Sequence, residues 1–389
     1  MFHSHKIFIR INLFVVFPAL SAIGCFGDTR TDRFPLIATQ SELSKIGVVT
    51  AFQSTHQVIL VEEDEGVDDQ RDTRNTGLFK WNCGVYIMDH NVLARRFVVH
   101  APDKAAALTG QRVAKWMSHL WSISEDHFGT APTRLRSTTI DVWLTRSGDP
   151  GGEQNRSNIY IYNLGTDRTP IEWTRELSHE YGHYLLPGAS GYTDPENWSN
   201  GILGERMFLL WMQQALSARK IALEDLPFVT PKEIAEYCML QPKALIDRFA
   251  ASGPDKIVLL GTDKSAMNAF TALILAIDQV YGSKTLTEIL EYLPPITNAQ
   301  GARGKDFLEA IQRWQTSQFA FVTNVVVGIN RIYLAKGEYS VASEKASPEI
   351  KIPDAVITRE GDELHLKIKV DGWKTLTAAR AGQLRWRKL

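Results

Sequence analysis

The segment His179-Glu180-Tyr181-Gly182-His183 combines two imidazoles and a carboxylate at a fixed spacing. On an α-helix, residues i and i+4 lie on one face, so His179 and His183 could bind one Zn²⁺ together. Glu180 would then project beside the metal, where it could accept a proton from metal-bound water. The segment therefore predicts a hydrolytic zinc site, and the alternative is two ordinary histidines on a helix.

The residues around this motif predict the helix that it needs. Thr169 is suited to the N-cap, Pro170 to the first helical position, and Glu172 completes a capping box. Apolar residues then recur at helical spacing as far as Leu185, and Pro187-Gly188 ends the pattern. We therefore expect a helix of about four turns with the motif inside it.

A zinc site also needs a third protein ligand, and a catalytic site leaves one position open to water. The acidic residues downstream are Asp194 and Glu196 in a turn-rich stretch and Glu205 in an apolar, helix-like segment. A second helix packed beside the motif helix could aim the Glu205 carboxylate at the metal. Glu205 is therefore the predicted ligand and Asp194 the second choice, while a charge near a helix N-terminus or an ion pair with Arg206 is the structural alternative.

The motif followed by Glu205 resembles the glutamate zincins, the thermolysin-like superfamily of zinc metallopeptidases. More narrowly, the chain is similar to the bacterial peptidase MA-like domains, through the segments 198–205 and 280–290. The resemblance covers roughly residues 97–318. It implies Zn²⁺ held by His179, His183 and Glu205, Glu180 as general base, and a peptide or protein substrate.

Composition and charge narrow the class of protein. The chain has 389 residues, with 44% hydrophobic and 22% charged residues, which is ordinary for a globular protein of two or three domains. Its net charge is −1, so bulk electrostatics give no reason to expect nucleic-acid binding.

The N-terminal 25 residues have the pattern of a secretory signal. Lys6 and Arg10 precede a short apolar run, and Ala22-Ile23-Gly24-Cys25 resembles a bacterial lipobox. Lipidation of Cys25 would attach the protein to a membrane, whereas ordinary cleavage nearby would release it. Both predict an exported protein, periplasmic or on the cell surface. Cys83 and Cys238 would then be left as a disulfide pair or as free, buried thiols.

The segment patterns predict an α+β fold. After the signal, residues 26–96 form an N-terminal β-rich region. Residues 97–320 form a zincin-like domain with a mixed sheet, the active-site helix and a C-terminal helical part. Residues 321–389 form a small β module, with a hairpin turn at 359–362.

The short strand 158–163 precedes the motif helix. In zincins, the strand at this place is an edge strand that can pair with an extended substrate. Ile159, Tyr160 and Ile161 are therefore candidate substrate-binding residues, and a plain sheet strand is the alternative.

The function that follows is zinc-dependent hydrolysis of peptide bonds. Tyr192, Tyr237 and Tyr281 are candidates by residue type for stabilising the oxyanion. Two other functions stay open. One is a catalytically inactive zincin-fold surface binding protein, and the other is a zinc amidase that acts on a non-protein amide.

Overall fold

The computed structural model describes residues 47–51, 54–67, 79–89, 92–128, 139–165, 167–185, 189–294, 302–343 and 349–389. The predicted signal segment with Cys25 and the predicted helix stop at Pro187-Gly188 lie outside these residues. Among the helices described, none has the length and apolarity to cross a membrane.

The first half of the fold is a mixed sheet of seven described strands in the spatial order β1-β2-β3-β4-β5-β7-β6. The β4–β5 and β5–β7 pairs are parallel, and the other neighbours are antiparallel. The strands are β1 (Gly47–Ala51), β2 (Ser54–Val67), β3 (Phe79–Asp89), β4 (Val92–Ala101), β5 (Ile140–Leu144), β6 (Gly151–Asn155) and β7 (Asn158–Tyr162).

This sheet corrects two predictions. The N-terminal β region is not separate, because β4 spans the predicted boundary at 96/97 and pairs with β5. The strand that contains Ile159, Tyr160 and Ile161 is not an edge strand, because β7 lies between β5 and β6 and all its residues are buried. The edge is formed by β6, whose glycine-rich, polar sequence has low strand propensity and looks like a loop.

Three helices position the motif. Helix α1 (Lys104–Phe128) contacts β3 and β4, α2 (Pro170–Leu185) carries the motif, and α3 (Asn200–Ser217) packs against α2. The predicted capping box of α2 is confirmed. The Thr169 amide donates to Glu172 Oε2 at 2.7 Å, and the Glu172 amide donates to Thr169 Oγ1 at 3.4 Å.

The backbones of α2 and α3 touch where two glycines meet. A Cβ added at Gly204 would lie 2.4 Å from the Gly182 Cα, and one added at Gly182 would lie 2.7 Å from the Asn200 carbonyl oxygen. Such distances are far below van der Waals contact, so both positions need glycine. The close crossing brings the first turn of α3 directly beside the two histidines.

The predicted helical region downstream of α3 is confirmed in the described residues. Its helices share one hydrophobic core with the sheet. They are α4 (Pro231–Leu240), α5 (Pro242–Ser252), α6 (Lys256–Leu259), α7 (Lys264–Tyr281), α8 (Ser283–Leu290) and α9 (Gly304–Ser317).

The tail forms two further sheets, with the orders β12-β13-β10-β15-β8 and β11-β14-β9. The predicted hairpin is confirmed, with Glu360 opposite Glu363 and Gly361 at φ 60°. The tail packs on the helices, since Arg331 Nε donates to the Ala250 carbonyl oxygen at 2.8 Å. Its strands are β8 (Ala320–Val325), β9 (Gly328–Leu334), β10 (Gly337–Ser343), β11 (Ile350–Lys351), β12 (Ala355–Glu360), β13 (Glu363–Ile368), β14 (Gly372–Ala378) and β15 (Gly382–Lys388).

Cys83 and Cys238 are both free and buried. Burial raises the pKa of each thiol to about 12, which disfavours the reactive thiolate.

Candidate metal centre

The two motif histidines and one glutamate bring their ligand atoms together. Glu196 Oε2 lies 3.1 Å from His179 Nε2 and 4.0 Å from His183 Nε2. Glu196 belongs to the irregular segment between α2 and α3. In the described part of the chain, these three residues form the one group whose ligand atoms all lie within 4.8 Å of one another. Two imidazoles and a carboxylate are a donor set of catalytic zinc sites.

Two further observations test whether an ion would fit here. The second carboxylate oxygen of Glu196, Oε1, is buried and has no hydrogen-bond partner among the described residues. A Cβ added at Gly201 would lie 2.4 Å from His179 Nε2 and 2.6 Å from His183 Nε2. The first turn of α3 thus leaves the ring nitrogens uncovered only because residue 201 is glycine. These residues fit a bound divalent cation.

Glu205, the predicted third ligand, lies at the other edge of the His179 ring. Its Oε2 is 3.7 Å from His179 Nδ1, and its Oε1 accepts hydrogen bonds from Arg175 Nε at 2.8 Å and from the Tyr237 hydroxyl. The structure therefore places Glu205 beside Nδ1 of His179, whereas Glu196 lies beside the two Nε2 atoms. Asp194, the second choice, is exposed and outside the cluster.

Each histidine ring has a polar partner at Nδ1. For His179 this is Glu205, and for His183 it is Asn200, whose Oδ1 lies 3.3 Å from Nδ1. The Asn200 amide nitrogen also donates to the His183 carbonyl oxygen at 3.1 Å. Partners of this kind fix the ring orientation and tautomer of metal-binding histidines, and here they direct both Nε2 atoms to the same place.

Glu180 lies in the wall beside this cluster. Its side chain is buried under the edge strand, since a Cβ added at Gly152 of β6 would lie 2.6 Å from Glu180 Oε1. Burial raises the pKa of Glu180 to about 7, although the neighbouring His179 lowers it. A carboxylate with a pKa near neutrality can both accept and return a proton.

The charges of the cluster are strongly coupled. Burial lowers the pKa of His179, but hydrogen bonds to Glu196 and Glu205 outweigh it and raise the pKa to about 10. Burial raises the pKa of Glu205, but His179, Arg175 and Tyr237 outweigh it and bring the pKa to about 2. The carboxylates thus favour a positive charge at this place. A metal ion would have to displace the proton from His179.

Two cavities meet at the cluster and share Gly152, His179 and Glu180. The larger, of about 650 Å³, extends along the C-terminal half of β6. The smaller, of about 360 Å³, extends along the N-terminal half of α2 and includes Gly151. The candidate centre belongs to the larger cavity, because His183 and Glu196 line that cavity and do not line the smaller one.

The other predicted site residues lie away from these cavities. Ile159, Tyr160 and Ile161 are buried inside the sheet. The tyrosines suggested for the oxyanion do not line either cavity: the Tyr237 hydroxyl donates to Glu205, the Tyr281 hydroxyl donates to the Tyr333 carbonyl oxygen, and the Tyr192 ring packs on Phe270.

Sequence reasoning missed several residues that line the larger cavity. Arg156 and Tyr184 line it, together with Trp198, which is 41% exposed although it is a large aromatic residue. The sequence did predict that Tyr184 lies on a helix. The spacing of apolar residues did not indicate which face of that helix borders a cavity.

A scan against models of known protein families finds no match for this chain, and a search of curated proteins finds no significant relative.

Proposed function

We propose that the protein is a zinc-dependent hydrolase of peptide bonds, with Glu180 as the general base. One observation carries the proposal: His179 Nε2, His183 Nε2 and Glu196 Oε2 converge on a cleft, with the buried Glu180 carboxylate beside them. The described architecture, with the motif helix under an antiparallel edge strand, also supports the interpretation as a glutamate zincin.

His179, His183 and Glu196 would hold Zn²⁺, which when bound lowers the pKa of water towards neutrality and polarises a carbonyl oxygen. Glu180 accepts a proton from the attacking water and returns it to the leaving amine. Glu205 and Asn200 hold the two imidazole rings in position through Nδ1.

The edge strand supports a peptide as the substrate. Among the described residues, β6 pairs with β7 alone, so its outer edge offers backbone donors and acceptors along the cleft. An extended peptide can add to such an edge as a further strand. This contact is made with the peptide backbone, and therefore favours a peptide over a non-protein amide.

Metal analysis together with one substitution tests the proposal. The purified protein should hold about one zinc per chain. Glu180→Gln should keep the metal and lower kcat by about 10²–10⁴-fold, because the proton acceptor is lost. The matched control is Glu236→Gln, which removes an exposed glutamate that pairs with Lys232 on α4. Full activity in Glu180→Gln, or a chain that stays metal-free in excess zinc, would contradict the proposal.

A further inference from the structure

We propose that Trp198 forms a subsite for an apolar, preferably aromatic, side chain of the substrate, at the first or second residue before the cleaved bond. This inference rests on the proposed function, because the larger cavity that Trp198 lines also contains the candidate centre. It adds a specificity-determining residue and the class of substrate side chain that this residue selects.

Trp198 differs from the other tryptophans of this protein in its exposure. Of the ten tryptophans, all of which lie in described ranges, Trp198 alone is exposed, and the others are buried or half-buried. Its exposed fraction is 41%. Single exposed apolar residues are common on protein surfaces, but this one lies in the lining of the cavity that contains the candidate centre. A substrate that enters this cavity therefore meets the ring.

The backbone around Trp198 is held in place, so the exposed surface belongs mainly to the indole ring. Trp198 pairs with Ser190 in an antiparallel β-bridge. The Ser199 amide and hydroxyl both donate to the Ala189 carbonyl oxygen, at 2.9 Å and 3.1 Å. Within the described ranges, the indole makes no hydrogen bond and no contact with another aromatic ring. The backbone that carries the ring is thus positioned before a ligand arrives, which reduces the entropy lost on binding.

Several polar side chains of the same lining are engaged within the protein. Glu153 accepts from a tyrosine hydroxyl at 3.1 Å, Gln154 Nε2 donates to a backbone carbonyl oxygen at 2.7 Å, and Asn197 Oδ1 accepts from a backbone amide at 3.0 Å. The other large aromatic residue of the lining, Tyr184, is buried. Outside the candidate centre, the indole of Trp198 is therefore the large apolar group that a substrate can contact.

The direction of β6 places this subsite on one side of the cleaved bond. Gly152 is level with Glu180, and Glu153 and Gln154 continue the strand from there into the larger cavity. A substrate in antiparallel pairing, the more stable ladder per residue, runs the opposite way. It therefore passes through the larger cavity before it reaches the centre. Trp198 lines this cavity and not the smaller one, so it contacts residues before the cleaved bond.

The distance along the chain from Glu196 narrows the position further. Trp198 follows Glu196 by two residues, and two residues span at most about 7 Å. An extended peptide covers this distance with about two residues as well. Trp198 should therefore contact the first or second residue before the cleaved bond.

The chemistry of the indole favours an apolar partner over a charged one. An apolar side chain on the ring removes both surfaces from water, and two aromatic rings gain further from their geometry. A cation over an exposed ring gains less, because it must give up water. A carboxylate gains nothing from the ring face, which is the negative part of the aromatic charge distribution.

A series of internally quenched peptides tests this inference on the zinc-loaded protein. A peptide mixture first provides one sequence that is cut at a single bond, which mass spectrometry locates. The first and then the second residue before this bond is changed to phenylalanine, leucine, arginine or serine. At one of these positions, we expect kcat/KM for phenylalanine to exceed that for serine by roughly tenfold or more, the size typical of filling an apolar subsite. Leucine should lie between them, with arginine below leucine.

Trp198→Ala identifies the group responsible. At saturating zinc, it should lower the ratio of kcat/KM for phenylalanine over serine by roughly tenfold, whereas Trp198→Phe should keep most of this ratio. Phe319→Ala is the matched control, because Phe319 is 67% exposed and does not line the larger cavity, and it should leave the ratio unchanged. If Trp198→Ala does not fold, the peptide series on the unmodified protein decides.

Equal kcat/KM for phenylalanine and serine at both positions, or a preference for arginine over leucine, would overturn the inference and leave the proposed function intact. A preference for phenylalanine that Trp198→Ala does not change would also overturn it. If the zinc-loaded protein cuts no peptide of the mixture, the proposed function itself fails and the inference falls with it.

Discussion

Two partly buried clusters in the described residues, one around His179 and one around His127, combine histidine with an acid, and they differ in where their polar atoms point. At the candidate centre, the Nε2 atoms of His179 and His183 and the carboxylate of Glu196 converge beside a cavity. In the second cluster, His127 stacks on Trp211 with ring centres 4.0 Å apart, and Trp211 Nε1 donates to Asp278 Oδ2 at 2.8 Å.

Both clusters contain groups with shifted pKa values. Burial raises the pKa of Asp278 to about 6 and lowers the pKa of His127 to about 4. The His127 Nδ1 is held by the Ser283 hydroxyl at 2.7 Å, so this ring is used within the core. A shifted pKa is therefore not enough to indicate a site. The candidate centre is distinguished by donor atoms that converge beside a cavity.

The largest expected effect is a loss of zinc affinity, which distinguishes a ligand role for Glu196 from one for Glu205. Glu196→Gln removes a charged ligand and should weaken zinc binding by more than about 100-fold. Glu205→Gln removes only the partner of His179 Nδ1 and should weaken it by about 10–100-fold, as is usual for such partners. Zinc affinity measured by competition with a chelating dye gives both values. The opposite order would restore Glu205 as the ligand.

A smaller effect is expected from closing the space between the rings and α3. Gly201→Ala would place a methyl group 2.4 Å from His179 Nε2, so a ring or the helix must shift. A displacement of about 1 Å in a catalytic site can lower activity by about 100-fold, and we expect a loss of that size in kcat/KM. Gly382→Ala is the control, because a Cβ there meets no atom within 4 Å. Unchanged kinetics in Gly201→Ala would place the metal elsewhere.

A substitution in the second cluster should change the free energy of unfolding and leave zinc binding unchanged. Asp278 keeps its proton in the folded state up to a pKa of about 6, whereas in the unfolded chain it loses the proton near its ordinary value of 3.8. The free energy of unfolding therefore falls as the pH rises through this window, by roughly 3 kcal/mol at most. Asp278→Asn should remove this contribution. Urea unfolding between pH 4 and pH 7 measures the free energy of unfolding of the unmodified protein and of Asp278→Asn. If the two free energies change with pH in parallel, Asp278 does not titrate in this way.

The parts of the fold that could be predicted depend on neighbours in sequence. The start of α2 follows from the capping pair Thr169 and Glu172, and the hairpin around Gly361 follows from its turn residues and flanking strands. In both cases the interacting groups are at most three residues apart, so the sequence contains the whole interaction.

The contact of Glu196 with the two histidines and the position of the edge strand could not be predicted, because both depend on packing between distant segments. Glu196 reaches the histidines from an irregular segment that is held by contacts with distant residues, such as the hydrogen bond from the Thr193 amide to the Thr262 carbonyl oxygen at 2.7 Å. The strand β6 has no alternation of polar and apolar residues, and the hydrogen-bonded ladder with β7 forms it. The local pattern alone favoured Glu205, an acid on a predicted helix, over the acids of the turn-rich stretch.

One consequence follows from the placement of Glu196 outside any helix. The two histidines are fixed to α2, whereas the glutamate belongs to a stretch with little regular structure of its own. A bound ion would therefore join two segments of the chain that are otherwise held by separate contacts, and binding to the folded state alone would stabilise the protein. Metal supply would then change the stability of the folded protein as well as its activity.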